Sequence, residues 1–189
     1  MNTPSHSILN LAILGRSQQP ALTWPILVGS ILPDAALFVF YGWAKVIGLP
    51  EAQIWNEAYY RPLWQDIFAV GNSVPLAFLV GAIAFWQQRF RLMALCASIL
   101  LHHLEDLPVH HDDAHRHFWP VSDFRFVSPI SYWDADHFGR YVALVELSLV
   151  LLASLYLWYR VRSRLGKFLL VLTNVLYVLG YALFYARIA

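Results

Sequence analysis

The sequence predicts an all-α fold, a polytopic membrane helix bundle with four to five spanning helices and a short N-terminal helix. Hydrophobic residues make up 59% of the 189 residues and charged residues only 13%, whereas a soluble domain carries about 25% charged residues. Eight tryptophans and ten tyrosines are typical of aromatic belts at the two membrane interfaces. The length indicates a single membrane-embedded domain that covers residues 1–189.

The first apolar segment, residues 4–14, is too short to cross a bilayer. Thr3 is a suitable N-cap, Pro4 suits the first helical position, and Gly15 follows as a stop. We therefore expect a short helix that lies in the membrane interface or packs inside the bundle.

The second apolar segment, residues 24–46, is long enough to span but contains Pro33 and Asp34. Because Pro33 leaves the carbonyl of Gly29 without its helical donor, we expect a break or a kink over residues 29–34. The remaining apolar segments cover residues 74–86, 92–107, 142–158 and 168–185.

Two basic turns predict the orientation of the bundle. Arg89 and Arg91 lie in one turn, and residues 160–167 carry three arginines and a lysine. The positive-inside rule places both turns in the cytoplasm of a multi-pass protein of the inner (plasma) membrane. Residues 108–140 then form an extracytoplasmic loop rich in histidine, aspartate and aromatic residues, and residues 48–71 lie on the same side.

Several kinds of partner and site are not expected. A net charge of +1 provides no basic footprint for nucleic acid. The single cysteine, Cys96, lies in an apolar run, so neither a disulfide framework nor a thiolate metal site is expected. The first residues lack a basic segment followed by a cleavage site, so no removable signal peptide is expected. Membrane lipids are the expected partners.

Histidines and carboxylates are concentrated in one stretch, HHLEDLPVHHDDAHRH, which holds ten potential metal ligands in sixteen residues. His102 and Asp106 are four residues apart and share a helical face, so they can bind one metal ion. His103 points about 100° away from His102 around the helix. We expect it to orient a neighbouring residue or to contact lipid headgroups. The candidates that follow in the loop are His110, His111, His115 and His117.

Two further candidates lie far from this stretch. Asp34 lies in an apolar segment, where a carboxylate costs roughly 2.5–3.5 kcal/mol on insertion scales and by default marks a functional site. Its alternative role is to cap the half-helix after Pro33. His6, in the first turn of the first helix, is either a ligand or a packed, interfacial histidine.

The order of these motifs resembles the membrane-bound metal-dependent hydrolases of the YdjM type, which are distantly similar to zinc-dependent phospholipase C. The motifs are SHSILN, GSILPD, H-x-x-x-D and FWP, and together they cover residues 4–120. The resemblance implies a metal-ligand role for His6, Asp34, His102 and Asp106.

The sequence departs from the family pattern at one place. Where the family has H-R-x-x-T-H-S at the start of a helix, this chain reads WQDIFAVGNSVPL, with Asp66 and Asn72 at the two histidine positions. Either the ligand set has changed, or loop histidines have replaced the missing ones. We expect Asp66 and at least one loop histidine to approach the His102–Asp106 pair, about 2.0–2.2 Å from a shared ion, with Asn72 hydrogen-bonded to a ligand carboxylate.

The predicted function is a metal-dependent hydrolase that acts on a lipid or a lipid-linked phosphoester. Imidazole and carboxylate ligands suit a divalent metal, most readily Zn²⁺, with Mn²⁺ or Fe as alternatives. Asp113 or Glu105 is a candidate general base. The alternatives are a non-enzymatic metal-binding membrane protein, a histidine tract that only scavenges metal, and a membrane di-iron oxygenase suggested by the spacing of His111 and His115.

Overall fold

The computed structural model describes residues 1–185. The chain is 71% helical, and the described residues include no strand. The helices are α1 (Thr3–Leu14), α2 (Thr23–Val46), α3 (Glu51–Gln53), α4 (Pro62–Gly71), α5 (Val74–Trp86), α6 (Phe90–Asp106), α7 (Gly139–Trp158) and α8 (Arg164–Phe184).

Four helical stretches are long and apolar enough to cross a membrane, namely Pro20–Val46, Pro62–Trp86, Gly139–Trp158 and Arg164–Phe184. At most 33% of the most hydrophobic window of each stretch is buried in the protein, which leaves wide apolar faces for lipid. The predicted fold class is confirmed. The stretch Pro62–Trp86 is longer than the predicted segment 74–86, because α4 precedes α5 and begins at Pro62.

Helix α1 packs inside the bundle, against α2, α6 and α7. Its Ile8 is buried in a core cluster with Val150 of α7 and Leu170 of α8. The helix ends at Gly15 as predicted, but its N-cap is Asn2, not Thr3. The hydroxyl of Thr3 instead donates a hydrogen bond to Asp34 Oδ2 at 2.5 Å.

Helix α2 is continuous through Pro33. Of the two predicted alternatives over residues 29–34, the break is therefore wrong and the kink stays a prediction. Each half of α2 has its own neighbour: α6 packs against the first half through Gly29, and α4 packs against the second half through Phe68. These contacts hold both halves of α2 in place although Pro33 removes one backbone hydrogen bond. Membrane proteins tolerate a proline inside a helix when neighbouring helices support it. Asp34 is therefore a mid-helix residue and does not cap a half-helix.

The second half of α2 carries an aromatic core. Phe40 is fully buried among Ile54, Tyr59 and Phe68, and the rings of Phe40 and Phe68 meet edge to face with centroids 5.7 Å apart. Part of the predicted loop 48–71 is thus helical, since it folds into α3, a π-turn and α4 to cover this side of α2.

Helices α2 and α6 approach closely at small residues. A Cβ added to Gly29 would overlap the carbonyl of Leu95 and lie 2.8 Å from the Cβ of Ser98. The hydroxyl of Ser98 donates to the carbonyl of Ile26 at 2.6 Å, and Asn10 of α1 donates to Ser98 Oγ at 2.8 Å. Small residues and interhelical hydrogen bonds are the usual means of helix association in membranes.

The two basic turns lie at the same end of the bundle. Arg160 donates to the carbonyl of Gly15, at the end of α1, at 3.3 Å, and Leu22 lines a pocket with Arg89 and Arg91. The histidine and carboxylate cluster lies at the opposite end of α1. This arrangement is what the positive-inside rule requires, while the side of the membrane that each end faces stays a prediction.

Helix α6 reaches only halfway along α2. His102, one turn before the end of α6, lies 3.6 Å from Asp34 (Nε2 to Oδ1), and Asp34 is the twelfth of the 24 residues of α2. Beyond Asp106 the chain is irregular up to a short 3₁₀ turn before α7. This loop packs on α5, where the amide of Val74 donates to the carbonyl of His117 at 2.9 Å.

We predict that Gly29→Ala lowers the thermal stability of the detergent-solubilised protein, because the added methyl group forces α2 and α6 apart. Overpacking of this kind costs about 1–3 kcal/mol. Gly42→Ala in the same helix is the matched control, because a Cβ at Gly42 meets nothing within 4 Å; it should be neutral or slightly stabilising. Equal melting temperatures for the two variants would contradict the close approach.

We predict that a cysteine at Val121 reacts with an impermeant maleimide added outside intact cells, and that one at Arg162 does not. Both positions are exposed and both substitutions are made in a Cys96→Ala background, so that the probe has a single target. Reaction at position 162 alone would reverse the predicted orientation.

Candidate metal centre

Three side chains converge between α1 and α6. The potential ligand atoms of His6, His102 and Asp106 all lie within 4.8 Å of one another. His6 Nε2 is 3.0 Å from Asp106 Oδ1, and His102 Nε2 is 3.0 Å from Asp106 Oδ2. All three residues are buried. We call this group the His–His–Asp cluster. It adds His6 to the pair His102 and Asp106, which the sequence predicted from their spacing of four residues.

The other ring nitrogen of each histidine is held by a hydrogen bond. His6 Nδ1 lies 2.6 Å from Glu105 Oε2, and His102 Nδ1 donates to the carbonyl of Ser30 at 2.9 Å. With the proton on Nδ1, each Nε2 carries a free lone pair. Both Nε2 atoms are buried, and each lies 3.0 Å from an oxygen of Asp106 without the geometry of a hydrogen bond. Anchoring of one nitrogen by a carboxylate or carbonyl is the arrangement found around metal-bound histidines.

The cluster suits a divalent ion. Two imidazoles and a buried carboxylate are ligands for Zn²⁺, Mn²⁺ or Fe, and an ion there would compensate the buried charge of Asp106. Burial lowers the pKa of His6, but its hydrogen bonds to Asp106 and Glu105 outweigh burial and raise the pKa to about 9, so an ion must displace the proton of His6. The rings of His6 and His102 stack with centroids 3.7 Å apart. Tetrahedral coordination by both rings requires this stack to open, because imidazoles that share a tetrahedral zinc ion have centroids about 5 Å apart.

Two predicted ligands border the cluster. Asp34 Oδ1 is 3.6 Å from His102 Nε2, and His110 Nε2 is 3.3 Å from Asp106 Oδ1. The backbone nitrogen of Met1 also contacts Asp106 Oδ1, at 2.5 Å. One loop histidine, His110, therefore reaches the predicted pair, although binding of an ion by His110 or Asp34 stays a prediction.

The two candidate general bases both contact histidines. Asp113 Oδ2 lies 2.9 Å from His110 Nδ1. Burial raises the pKa of Asp113, but the hydrogen bond and the charge of His110 outweigh burial, so the pKa of Asp113 is lower than its usual value. Glu105 accepts from His6, a contact that orients the imidazole. A catalytic role for either residue stays a prediction.

The other loop histidines lie in different surroundings. His111 Nδ1 donates to the carbonyl of Ser128 at 2.5 Å, and its ring stacks on His137 with centroids 3.5 Å apart. His117 is buried, and His115 is half-buried. Within the described residues, His6, His102 and Asp106 are the one group of three or more potential ligands that meet, so these histidines belong to no such group.

The two residues at the missing family histidines lie elsewhere. Asp66 is exposed on α4, and its Oδ1 contacts Arg116 at 2.5 Å. Asn72 follows the end of α4 and donates from its side chain to the carbonyl of Phe68 at 3.0 Å. Within the described residues, Asp66 does not approach the His102–Asp106 pair, because α4 directs it to the surface. Asn72 does not bond to a ligand carboxylate there, because its side chain satisfies a carbonyl at the end of α4.

Sequence reasoning missed the hydrogen bonds that hold His102 and Asp34 in place. The carbonyl of Ser30 holds His102, and the hydroxyl of Thr3 holds Asp34. A pattern was available for the first of these contacts, because Ser30 and Asp34 are four residues apart and share a face of α2. No local pattern links Thr3 to Asp34, since that contact depends on how α1 packs against α2.

The comparisons with known proteins give no family. No protein-family model, curated protein or solved structure matches the chain. The similarity to membrane-bound metal-dependent hydrolases therefore rests on the motifs alone, and the functional argument rests on the cluster.

We predict that His102→Ala and Asp106→Ala each remove most of the bound metal from the purified protein, because each change deletes one of only a few ligands. Metal content is measured by mass spectrometry of the metal ions after desalting. His137→Ala is the control and should keep its metal, since His137 contacts Asp134 and His111 outside the cluster. Full occupancy in both cluster variants would rule out this assignment.

Proposed function

We propose that this protein is a membrane-embedded metal-dependent hydrolase that cleaves a lipid or a lipid-linked phosphoester. The observation that carries the proposal is the His–His–Asp cluster, in which two buried imidazole nitrogens each lie 3.0 Å from an oxygen of a buried carboxylate and make no hydrogen bond of good geometry. Unsatisfied buried polar atoms in a native structure are rare and call for an explanation such as a bound ion.

The cluster residues would hold the ion, most suitably Zn²⁺. When bound, such an ion lowers the pKa of a coordinated water and stabilises negative charge that develops on a phosphoryl oxygen. Glu105 and the carbonyl of Ser30 keep the two imidazoles in the tautomer that exposes Nε2. Thr3 orients Asp34 at the edge of the cluster.

A cavity of about 580 Å³ borders the cluster and supports a substrate site there. Asp34 and His110 lie both in its wall and beside the cluster. Asp113 is also in the wall, in contact with His110, where its carboxylate can accept a proton from an attacking water. Six aromatic side chains also line the cavity, namely Phe38, Trp55, Tyr59, Tyr60, Tyr132 and Trp133.

The location of the cavity favours a substrate that resides in the membrane. One of its walls is the mid-portion of α2, a candidate span in which Phe38 is 56% exposed. A lipid phosphoester could enter between apolar helix faces and present its polar group to Asp34 and His110.

We predict metal-dependent release of a water-soluble phosphoester from vesicles that contain mixed glycerophospholipids and a polyprenyl phosphate. Chelation should abolish the release, and added Zn²⁺ should restore it. Asp106→Ala should be inactive, and Asp113→Asn should lower turnover about 10²–10⁴-fold, the contribution of a general base, with metal content unchanged. Asp123→Asn, an exposed change in the same loop, is the control. Equal activity in the Asp106→Ala and native proteins, measured by mass spectrometry of the products, would refute the hydrolase.

One observation favours a second function, that of a non-enzymatic metal-binding membrane protein. The three cluster residues are each at most 1% exposed, whereas a catalytic zinc ion keeps one coordination position open for water. X-ray absorption spectroscopy of the zinc-loaded protein distinguishes the two functions. Four protein ligands and no water would favour metal binding without catalysis.

A further inference from the structure

A groove lies between α2 and α8, in the half of the bundle that carries the basic turns. Helix α2 packs against α1, α4 and α6, whereas α8 packs against α7, so α1 forms the floor between these two candidate spans. The groove has a volume of about 560 Å³, and none of the described residues that line it is charged. Its floor includes Ile8 and Leu11, and its walls include Leu27 of α2 and Leu169 of α8.

The groove is about as deep as the hydrocarbon of one membrane leaflet. It follows residues 3–11 of α1, 23–31 of α2 and 165–173 of α8, and eight steps along a helix cover about 12 Å. Half of a hydrocarbon core about 30 Å thick is about 15 Å. Trp24, which is 74% exposed, lines the end nearest the basic turns. Because tryptophan anchors at the level of the lipid headgroups, the groove opens at that level.

The open end of the groove lies in a strongly basic part of the molecule. Seven of the 13 lysines and arginines are at this end, namely Arg16, Arg89, Arg91, Arg160, Arg162, Arg164 and Lys167. The segments that carry them, residues 15–25, 86–92 and 158–168, contain no aspartate or glutamate. Ser163 lines the groove, and the two arginines that flank Ser163 in the chain are both exposed.

We propose that this groove binds one anionic phospholipid, with an acyl chain along α1 and the headgroup at Arg162 and Arg164. The uncharged lining accepts a hydrocarbon chain, and the excess of positive charge at the open end selects a negative headgroup. Basic pockets between membrane helices recognise anionic lipids in this way. The site is separate from the His–His–Asp cluster, and the proposal stands whether or not the protein is a hydrolase.

A bound chain would cover apolar surface of α1. Ile8 packs on Val150 and Leu170 in a core cluster, and the groove leaves the side of α1 between α2 and α8 without a protein neighbour across its width. A lipid that binds only the folded bundle raises its thermal stability. The lipid would therefore help to hold in place the helix that carries His6.

The test measures lipid binding by the purified full chain in detergent. The protein is titrated with dioleoyl phosphatidylglycerol, bound lipid is counted by native mass spectrometry, and the melting temperature is followed. We expect one tightly bound phosphatidylglycerol per chain and a higher melting temperature. Dioleoyl phosphatidylcholine should produce neither effect, and glycerol phosphate, which lacks the chains, should not raise the melting temperature.

A pair of variants on α8 tests the position of the chain. Leu169→Trp fills the groove and should abolish the tight binding of phosphatidylglycerol. Val171→Trp is the matched control, because Val171 is 49% exposed and Leu169 is 50% exposed, but the two residues lie about 200° apart around the helix. Val171→Trp should bind the lipid as the native protein does.

A second set of variants tests the position of the headgroup. Arg162→Gln and Arg164→Gln should each weaken the binding of phosphatidylglycerol about five-fold. Arg61→Gln, a change of an exposed arginine outside the basic end, is the control and should leave the affinity unchanged. Both arginines at the groove are exposed, so this test holds even if Leu169→Trp does not fold.

Three results would overturn the proposal. Equal affinities for phosphatidylglycerol and phosphatidylcholine would show that bulk lipid fills the groove without selection. Equal stabilisation by glycerol phosphate would show an anion site that needs no chain. Native affinity for phosphatidylglycerol in the folded Leu169→Trp protein or in the double variant of Arg162 and Arg164 would place the lipid elsewhere.

Discussion

The buried carboxylate of Asp106 is the constraint on which the rest of the structure depends. It is the last residue of α6 and only 1% exposed, and an ionised carboxylate away from water is tolerated only when it is paired or bound to a metal. Its two oxygens are approached by His6, His102 and His110 at 3.0–3.3 Å. Each of these imidazoles comes from a different part of the chain, so α1, α6 and the following loop must meet at this point.

The helix arrangement follows from that requirement. Helix α1, with 12 residues, is short enough to fit inside the bundle and bring His6 to the end of α6. Helix α2 remains continuous through Pro33, so that the carbonyl of Ser30 and the side chain of Asp34 both face His102. The small residues Gly29 and Ser98 bring α2 and α6 close enough for those contacts.

The sequence predicted the parts of the molecule that depend on local periodicity. The fold class, the C-terminal end of α1 and the pairing of His102 with Asp106 follow from apolar run lengths, from Gly15 and from a spacing of four on one helix. The contact of His6 with Glu105 joins residues 99 positions apart, and the contact of Asp66 with Arg116 joins residues 50 apart. Such contacts depend on helix packing and on loop conformation, which periodicity does not encode, and for this reason Asp66 was expected near the metal but lies at the surface.

The long sequence separation of the contacts made by α1 has a consequence for biogenesis. Asn10 bonds to Ser98, Ser5 to Glu146, and Ser5 to Tyr177, across separations of 88, 141 and 172 residues. The ribosome makes α1 first, yet none of these partners exists until most of the chain has been synthesised, and a helix of this length is too short to insert as a span. These contacts of α1 therefore form late, and the His–His–Asp cluster cannot be complete before α6 has been synthesised and packed against α1.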